Sequence, residues 1–391
     1  MSVPYSYKAP NPGDDFKLKY EYRKGTDTAK TIIYLGGGPG AKIGQDHFKG
    51  IVRSQDYNLV IIDYRGTGCN KLTNYNVQKF GKKIFNRNYF ANDTARIITD
   101  LALRAKDYII YAHSYGTTVA PELSTIIQAQ GLPGPAAIFM TGTVENTNSI
   151  KYLNCDGNCR FEKNFKQFLE LMPQEEERFF HNIFKNDYKN FPNLLGVDGK
   201  FWRLYFWTQL ANNPHESSLQ LMSNIKRVLD DPDSTYNARL TKWAKETRKI
   251  YYPEQLPSAS LKKKTSDIEE FFSSRVIRDF VLETELNWGN GNKYPNHPNE
   301  YNSNALRLKH PTIFMHGSSD FLTPIEMAEN SFSNQLDIEN KILVTLNAGH
   351  SYSATHLSCL NNVVDAVFKG VVINKQNYNQ MFQSCSTIKI K

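Results

Sequence analysis

Long apolar runs are missing from this chain. None reaches the roughly 18 apolar residues that a membrane-spanning helix needs, so no membrane insertion is expected. The first twenty residues are polar and rich in proline, with no apolar h-region, and are not expected to act as a signal peptide; a leader removed ahead of them stays compatible with the sequence. Cysteine is scarce, with 5 in 391 residues: Cys69, Cys155, Cys159, Cys359 and Cys385. Cys155 and Cys159 flank an Asp-Gly-Asn turn, but no second pair and no histidine at ligand spacing accompanies them, which argues against zinc. A small local disulfide or two free thiols remain, and the odd total leaves at least one thiol free or intermolecular. Internal repeats and low-complexity tracts are also absent.

Acidic residues fall short of basic ones, 39 against 47, giving a net charge of +8. The basic residues are scattered, and the only tight cluster, Lys262-Lys263-Lys264, reads as a solvated surface feature. No nucleic-acid-binding signature goes with it, so no nucleic-acid partner is expected. The surplus favours acidic partners only weakly.

What is present suits a large globular protein. The chain is 40% hydrophobic and 22% charged, enough for one large α/β domain with an insertion or for two domains. Short apolar runs at 31–35, 57–64, 108–112 and 136–140 are rich in Ile, Val and Tyr, as strands buried on both faces of a parallel sheet require. A helix is expected over 92–103, with Asp93 near its start. From about residue 145 the strand pattern stops and aromatic residues crowd in, at helical spacing over 160–172 and in a dense run over 201–207. Pro192, Pro214, Pro232, Pro253 and Pro257 cut this stretch into short helices. Its aromatic stripes serve as core packing or line an apolar cleft. Strand runs return at 311–316 and 341–346, and 361–368 reads as a helix. The simplest organisation is an α/β core, residues 1–143 and 305–391, interrupted by a helical cap at 144–304.

The most informative stretch is Ile110-Tyr111-Ala112-His113-Ser114-Tyr115-Gly116. A strand leads into Ser114 and a helix leads out, and the residues two before and two after it are small. A sharp strand–turn–helix elbow needs such neighbours and lifts the serine hydroxyl off the sheet. A serine nucleophile also needs a base, an acid to orient that base, and donors for an oxyanion. Gly36-Gly37-Gly38-Pro39-Gly40 follows the first buried strand and lets backbone N–H groups approach a substrate oxygen. Gly38 is the candidate for one oxyanion donor and Tyr115 for the other, with Gly37 as a substrate-binding residue. Neither a P-loop nor a dinucleotide-binding continuation follows these glycines. Asp320, in a loop after the strand at 311–316, is the candidate acid; its competing reading is a turn former. His350, after the strand at 341–346 and behind Gly349, is the candidate base, with His356 as a rival. The order Ser114, Asp320, His350 is that of α/β-hydrolase triads.

Two motifs carry a more specific resemblance: Gly36-Gly37-Gly38-Pro39-Gly40, and Asp63-Tyr64-Arg65-Gly66-Thr67-Gly68-Cys69-Asn70. Together with the elbow they resemble the α/β-hydrolases of the prolyl iminopeptidase and tripeptidyl aminopeptidase group. In that group a His-Gly-Gly-Pro-Gly segment precedes an Asp-x-Arg-Gly-x-Gly-x-Ser segment. This chain departs at Gly36, where the group has His, at Asn70, where it has Ser, and at Ala112, where it has Gly. The resemblance covers residues 30–143 and 305–391 and leaves the cap unmatched.

It implies a mostly parallel sheet flanked by helices, a helical cap, and a serine aminopeptidase that forms an acyl-enzyme without metal or organic cofactor. It also implies a disulfide between Cys359 and Cys385, and with it a secreted or periplasmic location; a cytoplasmic location is the alternative. The expected partner is a peptide or a small acyl substrate. Recognition of a free amino terminus calls for a carboxylate, for which Glu145, Glu175-Glu176-Glu177 and Asp230-Asp231 are candidates. A carboxylesterase or lipase of the same fold is the first alternative, since a triad does not separate esters from amides. A non-catalytic hydrolase-like binding protein is the second.

Overall fold

The computed structural model describes residues 1–7, 10, 13–37, 56–66, 69–70, 87–144, 174, 219, 223, 307–320, 323–335, 338–350, 354–385 and 387–390. Apart from residues 144, 174, 219 and 223, the expected cap lies outside the described residues, as do Gly38, Glu145 and the Cys155/Cys159 pair.

The strands are β1 (Ser2–Pro4), β2 (Asp15–Lys17), β3 (Glu21–Arg23), β4 (Asp27–Leu35), β5 (Tyr57–Ile61), β6 (Tyr108–His113), β7 (Ala137–Thr141), β8 (Thr312–Gly317), β9 (Lys341–Leu346) and β10 (Thr387–Ile390). The described helices are α1 (Arg87–Asp100), α2 (Gly116–Ala129), α3 (Ile325–Asn334), α4 (Ala354–Phe368) and α5 (Tyr378–Phe382). β1 and β2 form a small antiparallel hairpin. The other strands form one eight-stranded sheet in the order β10-β9-β8-β7-β6-β4-β5-β3. All its pairings from β5 to β9 are parallel, and the two edge strands, β3 and β10, are antiparallel.

Alternation along each strand divides the apolar residues between two cores. Ile33, Leu35, Ile110, Ala112, Ile138 and Met140 face α1 and α2, which contribute Phe90, Ile97, Val119 and Leu123. Ile32, Tyr34, Ile109, Tyr111, Phe139 and Val344 face the opposite layer, where α4 supplies Leu360, Val363 and Val364. Burial on both faces explains why these strands carry few charged residues. The two halves of the chain share one sheet, because β7 pairs directly with β8 from Ile138↔Thr312 to Thr141↔Met315.

Three elements differ from expectation, one of them the helix expected over 361–368, which begins seven residues earlier at Ala354 as α4. The helix expected over 92–103 begins five residues earlier, because Tyr89 and Phe90 pack into the core. It ends before Ala102, which takes a left-handed φ of 48°. Asp93, expected near the helix start, is therefore a mid-helix, inward-facing carboxylate. It accepts hydrogen bonds from Arg65 Nε at 2.7 Å, Arg65 Nη2 at 2.6 Å and the Tyr7 hydroxyl at 2.7 Å. The strand run over 57–64 leaves the ladder after Ile61, although Ile62, Asp63 and Tyr64 stay buried. There the Asp63 carboxylate accepts the Cys69 N–H at 2.8 Å and Gly66 takes a φ of 83°, closing a tight turn.

Candidate active site

The chain passes from β4 to β5 on one side of β4 and then returns to place β6 on its other side. Such a reversal of strand order opens a crevice at the carboxyl ends of the flanking strands. Gly36-Gly37 follow β4 and Ser114 follows β6, so both stand at this crevice.

Ser114 has φ 52°, in the left-handed region that costs a residue with a side chain roughly 1 kcal/mol or more. Neighbouring contacts enforce it. The Ser114 N–H donates to the Thr141 carbonyl at 2.8 Å, and the Thr117 N–H closes the first turn of α2 onto the Ser114 carbonyl at 2.9 Å. Gly116 has no alternative: a Cβ there would lie 2.1 Å from the Leu35 carbonyl oxygen. Ala112, on the strand side, is fully buried, and its methyl is accommodated. Gly37 lies against the serine, since a Cβ on it would sit 3.0 Å from Ser114 Cβ and 3.4 Å from its hydroxyl oxygen.

Asp320 and His350 come from adjacent strand ends. Gly317, closing β8, allows this: a Cβ there would meet the carbonyl oxygens of Gly349 at 2.2 Å and Ala348 at 2.3 Å. His350 Nδ1 and Asp320 Oδ2 are 2.8 Å apart in a buried setting. Thr323 completes the acid, its N–H donating to Asp320 Oδ1 at 2.9 Å and its hydroxyl to Oδ2 at 2.7 Å. Burial pushes the Asp320 carboxyl up, but His350, His316 and the Thr323 N–H outweigh it and hold the group down at about 2. Asp320 is thus an acceptor at neutral pH, which puts the proton of a neutral His350 on Nδ1 and leaves Nε2 as the basic atom.

His350 reaches toward the elbow over Gly142, whose φ is 57°. A Cβ on Gly142 would lie 2.8 Å from His350 Cε1 and 3.4 Å from His113 Cε1. The His113 and His350 rings are 4.9 Å apart between centroids, which sets His350 beside the residue that precedes Ser114. His113 Nδ1 faces the Thr141 hydroxyl at 3.1 Å, and that hydroxyl donates to the Ala112 carbonyl at 3.1 Å.

The strand order with its reversal, the left-handed serine between β6 and α2, and an acid and a histidine after the last two parallel strands decide the architecture. The fold is that of the α/β-hydrolases. No family model and no curated protein matches the chain. Among solved structures it is similar to an esterase, EaEST, from Exiguobacterium antarcticum, at 14% identity over 91% of this chain and 97% of that one, with a TM-score of 0.43. It is similar to MGS-M2, an alpha/beta hydrolase enzyme from a Medee basin deep-sea metagenome library, at 14% identity over 91% of this chain and 94% of that one, TM-score 0.43. It is also similar to Rv0554 from Mycobacterium tuberculosis, at 14% identity over 87% of this chain and 89% of that one, TM-score 0.45.

The structure brings Ser114, Tyr115, Gly37, Asp320 and His350 to one end of the sheet. Gly38 and Glu145 lie outside the described residues, as does the side chain of His356. Sequence reading missed Thr323 and His316. His316 is fully buried behind Asp320, 3.6 Å from Oδ2; its Nε2 donates to the Thr323 carbonyl at 2.6 Å, and its Nδ1 accepts the Thr143 N–H at 3.2 Å. Burial holds its imidazole below the ordinary range. A histidine inside an apolar strand directly before Gly317 was the one available signal. Among the described residues no group of three or more His, Cys, Asp or Glu could hold a metal ion.

Proposed function

We propose that this chain is a serine hydrolase, and within that class an aminopeptidase that releases residues from the N-termini of peptides. The observation that carries the hydrolase reading is the strained, left-handed Ser114, preceded by a His113 whose ring lies 4.9 Å from that of His350, with His350 in turn held by the buried Asp320. Ser114 Oγ attacks the acyl carbon while His350 Nε2 takes its proton. Asp320 holds the Nδ1 proton and stabilises the imidazolium. The Tyr115 N–H, at the N-terminus of α2, and the Gly38 N–H receive the oxyanion. His350 then protonates the leaving group, and water, activated by the same imidazole, releases the acyl-enzyme. No metal or organic cofactor enters these steps. The peptidase reading rests on the paired glycine and Asp-x-Arg-Gly motifs, with a cap over 144–304 closing the cleft and Glu145 binding the substrate amino group. The Cys359–Cys385 disulfide supports a working place outside the reducing cytosol.

Hydrolysis of Pro-, Ala- and tripeptide anilides, their N-acetylated forms, and short and long acyl esters tests this, with Ser114→Ala as control. Free-amino anilides are expected to be cleaved, with activity lost on acetylation and reduced at least ~10³-fold in the variant. Cleavage of esters alone would overturn the peptidase reading and leave a carboxylesterase. Retention of activity by Ser114→Ala would overturn both.

A further inference from the structure

Tyr64 touches the backbone of the glycine turn and the side chain of Tyr115, the two segments that would hold the oxyanion. It stands just past the end of β5, 3% exposed. Its hydroxyl donates to the Gly36 carbonyl at 2.5 Å. Its ring meets the Tyr115 ring edge-on, with centroids 5.7 Å apart and planes at 86°. Phe90 backs both rings, at 4.4 Å from Tyr64 and 6.5 Å from Tyr115.

A peptide bond is planar and trans, so a Gly36 carbonyl fixed toward Tyr64 turns the Gly37 N–H to the opposite side of that peptide. Gly37 is the residue packed against Ser114 Cβ. Two adjacent glycines have the widest backbone freedom in the chain, and neither has a side chain with which to anchor this turn. The Gly36 oxygen also lies close against Gly116, 3.0 Å from where a Cβ on that residue would sit. The hydroxyl therefore supplies an orientation that the glycine sequence cannot supply itself.

We propose that Tyr64 is a positioning residue for transition-state stabilisation. Its hydroxyl fixes the rotation of the Gly36–Gly37 peptide and its ring fixes Tyr115, so that both backbone segments are set before the oxyanion forms. The proposal rests on the serine-hydrolase reading above. Pre-set dipoles act where charge develops, so their loss appears in the transition state and not in substrate binding.

The test compares Tyr64→Phe with Tyr108→Phe. Tyr108 is a matched control at the other end of the sheet, since its hydroxyl also donates to a backbone carbonyl, that of Pro133, at 2.5 Å. Labelling of Ser114 by a fluorophosphonate is followed by intact-protein mass spectrometry, and p-nitrophenyl acetate gives kcat and KM. Tyr64→Phe is expected to label about tenfold more slowly and to lose about tenfold in kcat, with KM within about twofold and the pH profile unchanged. Tyr108→Phe is expected to keep the wild-type rates. Equal slowing in both variants, or a wild-type labelling rate in Tyr64→Phe, would overturn the role of Tyr64 alone. Wild-type protein that neither labels at Ser114 nor hydrolyses the ester would overturn the hydrolase reading and this proposal with it.

Discussion

At the scale of single residues, the acid of the site is where charge and burial are most finely set. Asp320 sits at about 2, below its ordinary 3.8, because its partners favour the ionised form more strongly than burial opposes it. A carboxyl depressed in the folded state contributes stability that is present above its unfolded value and is lost as pH falls through the folded value. Thermal midpoints should therefore drop between about pH 4 and about pH 2. Asp320→Asn should lack that share of the drop while being less stable at neutral pH. Parallel acid profiles for the two proteins would show that Asp320 is not held low. Ser114 and Gly116 were readable from sequence because sterics at a sharp turn dictate residue type. Thr323, His316 and Tyr64 were not, because each acts through a partner that only the folded chain brings near.

At the scale of elements, one guanidinium ties three segments together. Arg65 is fully buried, and its Nη1 and Nη2 donate to the carbonyls of Tyr5 at 2.9 Å and Pro4 at 3.0 Å, while Asp93 of α1 receives its fork. The rings of Tyr7, Phe16 and Tyr89 lie 5.2–5.4 Å from its carbon. Burial works against the charge, yet the Asp93 hydrogen bonds more than offset it and hold the guanidinium above its usual range. The Arg of the Asp-x-Arg-Gly motif thus joins the β1–β2 hairpin, the turn after β5 and α1. Asn70, where the resembled group has Ser, adds a second tie. Its side chain accepts from the Lys19 N–H at 2.7 Å and donates to the Lys19 carbonyl at 2.8 Å and the Asp63 carbonyl at 2.6 Å. Asp93→Ala should cost roughly 3–5 kcal/mol in urea unfolding, because it strands a buried cation. The Asp93→Ala, Arg65→Met double variant should be less damaged than the sum of the two single changes. Strict additivity would refute the clamp.

At the scale of the whole molecule, the core was legible because strands buried on both faces allow almost nothing but β-branched, aromatic and small residues. The positions of β4 to β9 followed from that pattern, whereas the short β1, β2, β3 and β10, which lie at the margins and carry no such apolar run, did not. Helix bounds were less legible: α1 carries an inward carboxylate, and no amphipathic pattern reveals the cation waiting for it. The Cys359–Cys385 bond, expected from resemblance alone, is present and closes a separation of 26 residues between α4 and the segment leading into β10. Closing a loop of that size is worth roughly 3–4 kcal/mol in the unfolded chain. Cys359→Ser, Cys385→Ser protein should lose about that amount in denaturant unfolding, and dithiothreitol should then leave the variant unchanged while destabilising the wild type.

The same bond governs what happens at the margin of the sheet. β10 covers β9, whose residues from Ile342 to Leu346 are apolar or buried, and β10 does so through a short ladder with a register shift between Thr387 and Lys389. Uncovered, β9 would offer a row of open N–H and C=O groups on an apolar strand, a template for strand addition by another molecule. By tethering the segment just before β10, the disulfide keeps that template capped, so its reduction bears on self-association and solubility as much as on folding free energy.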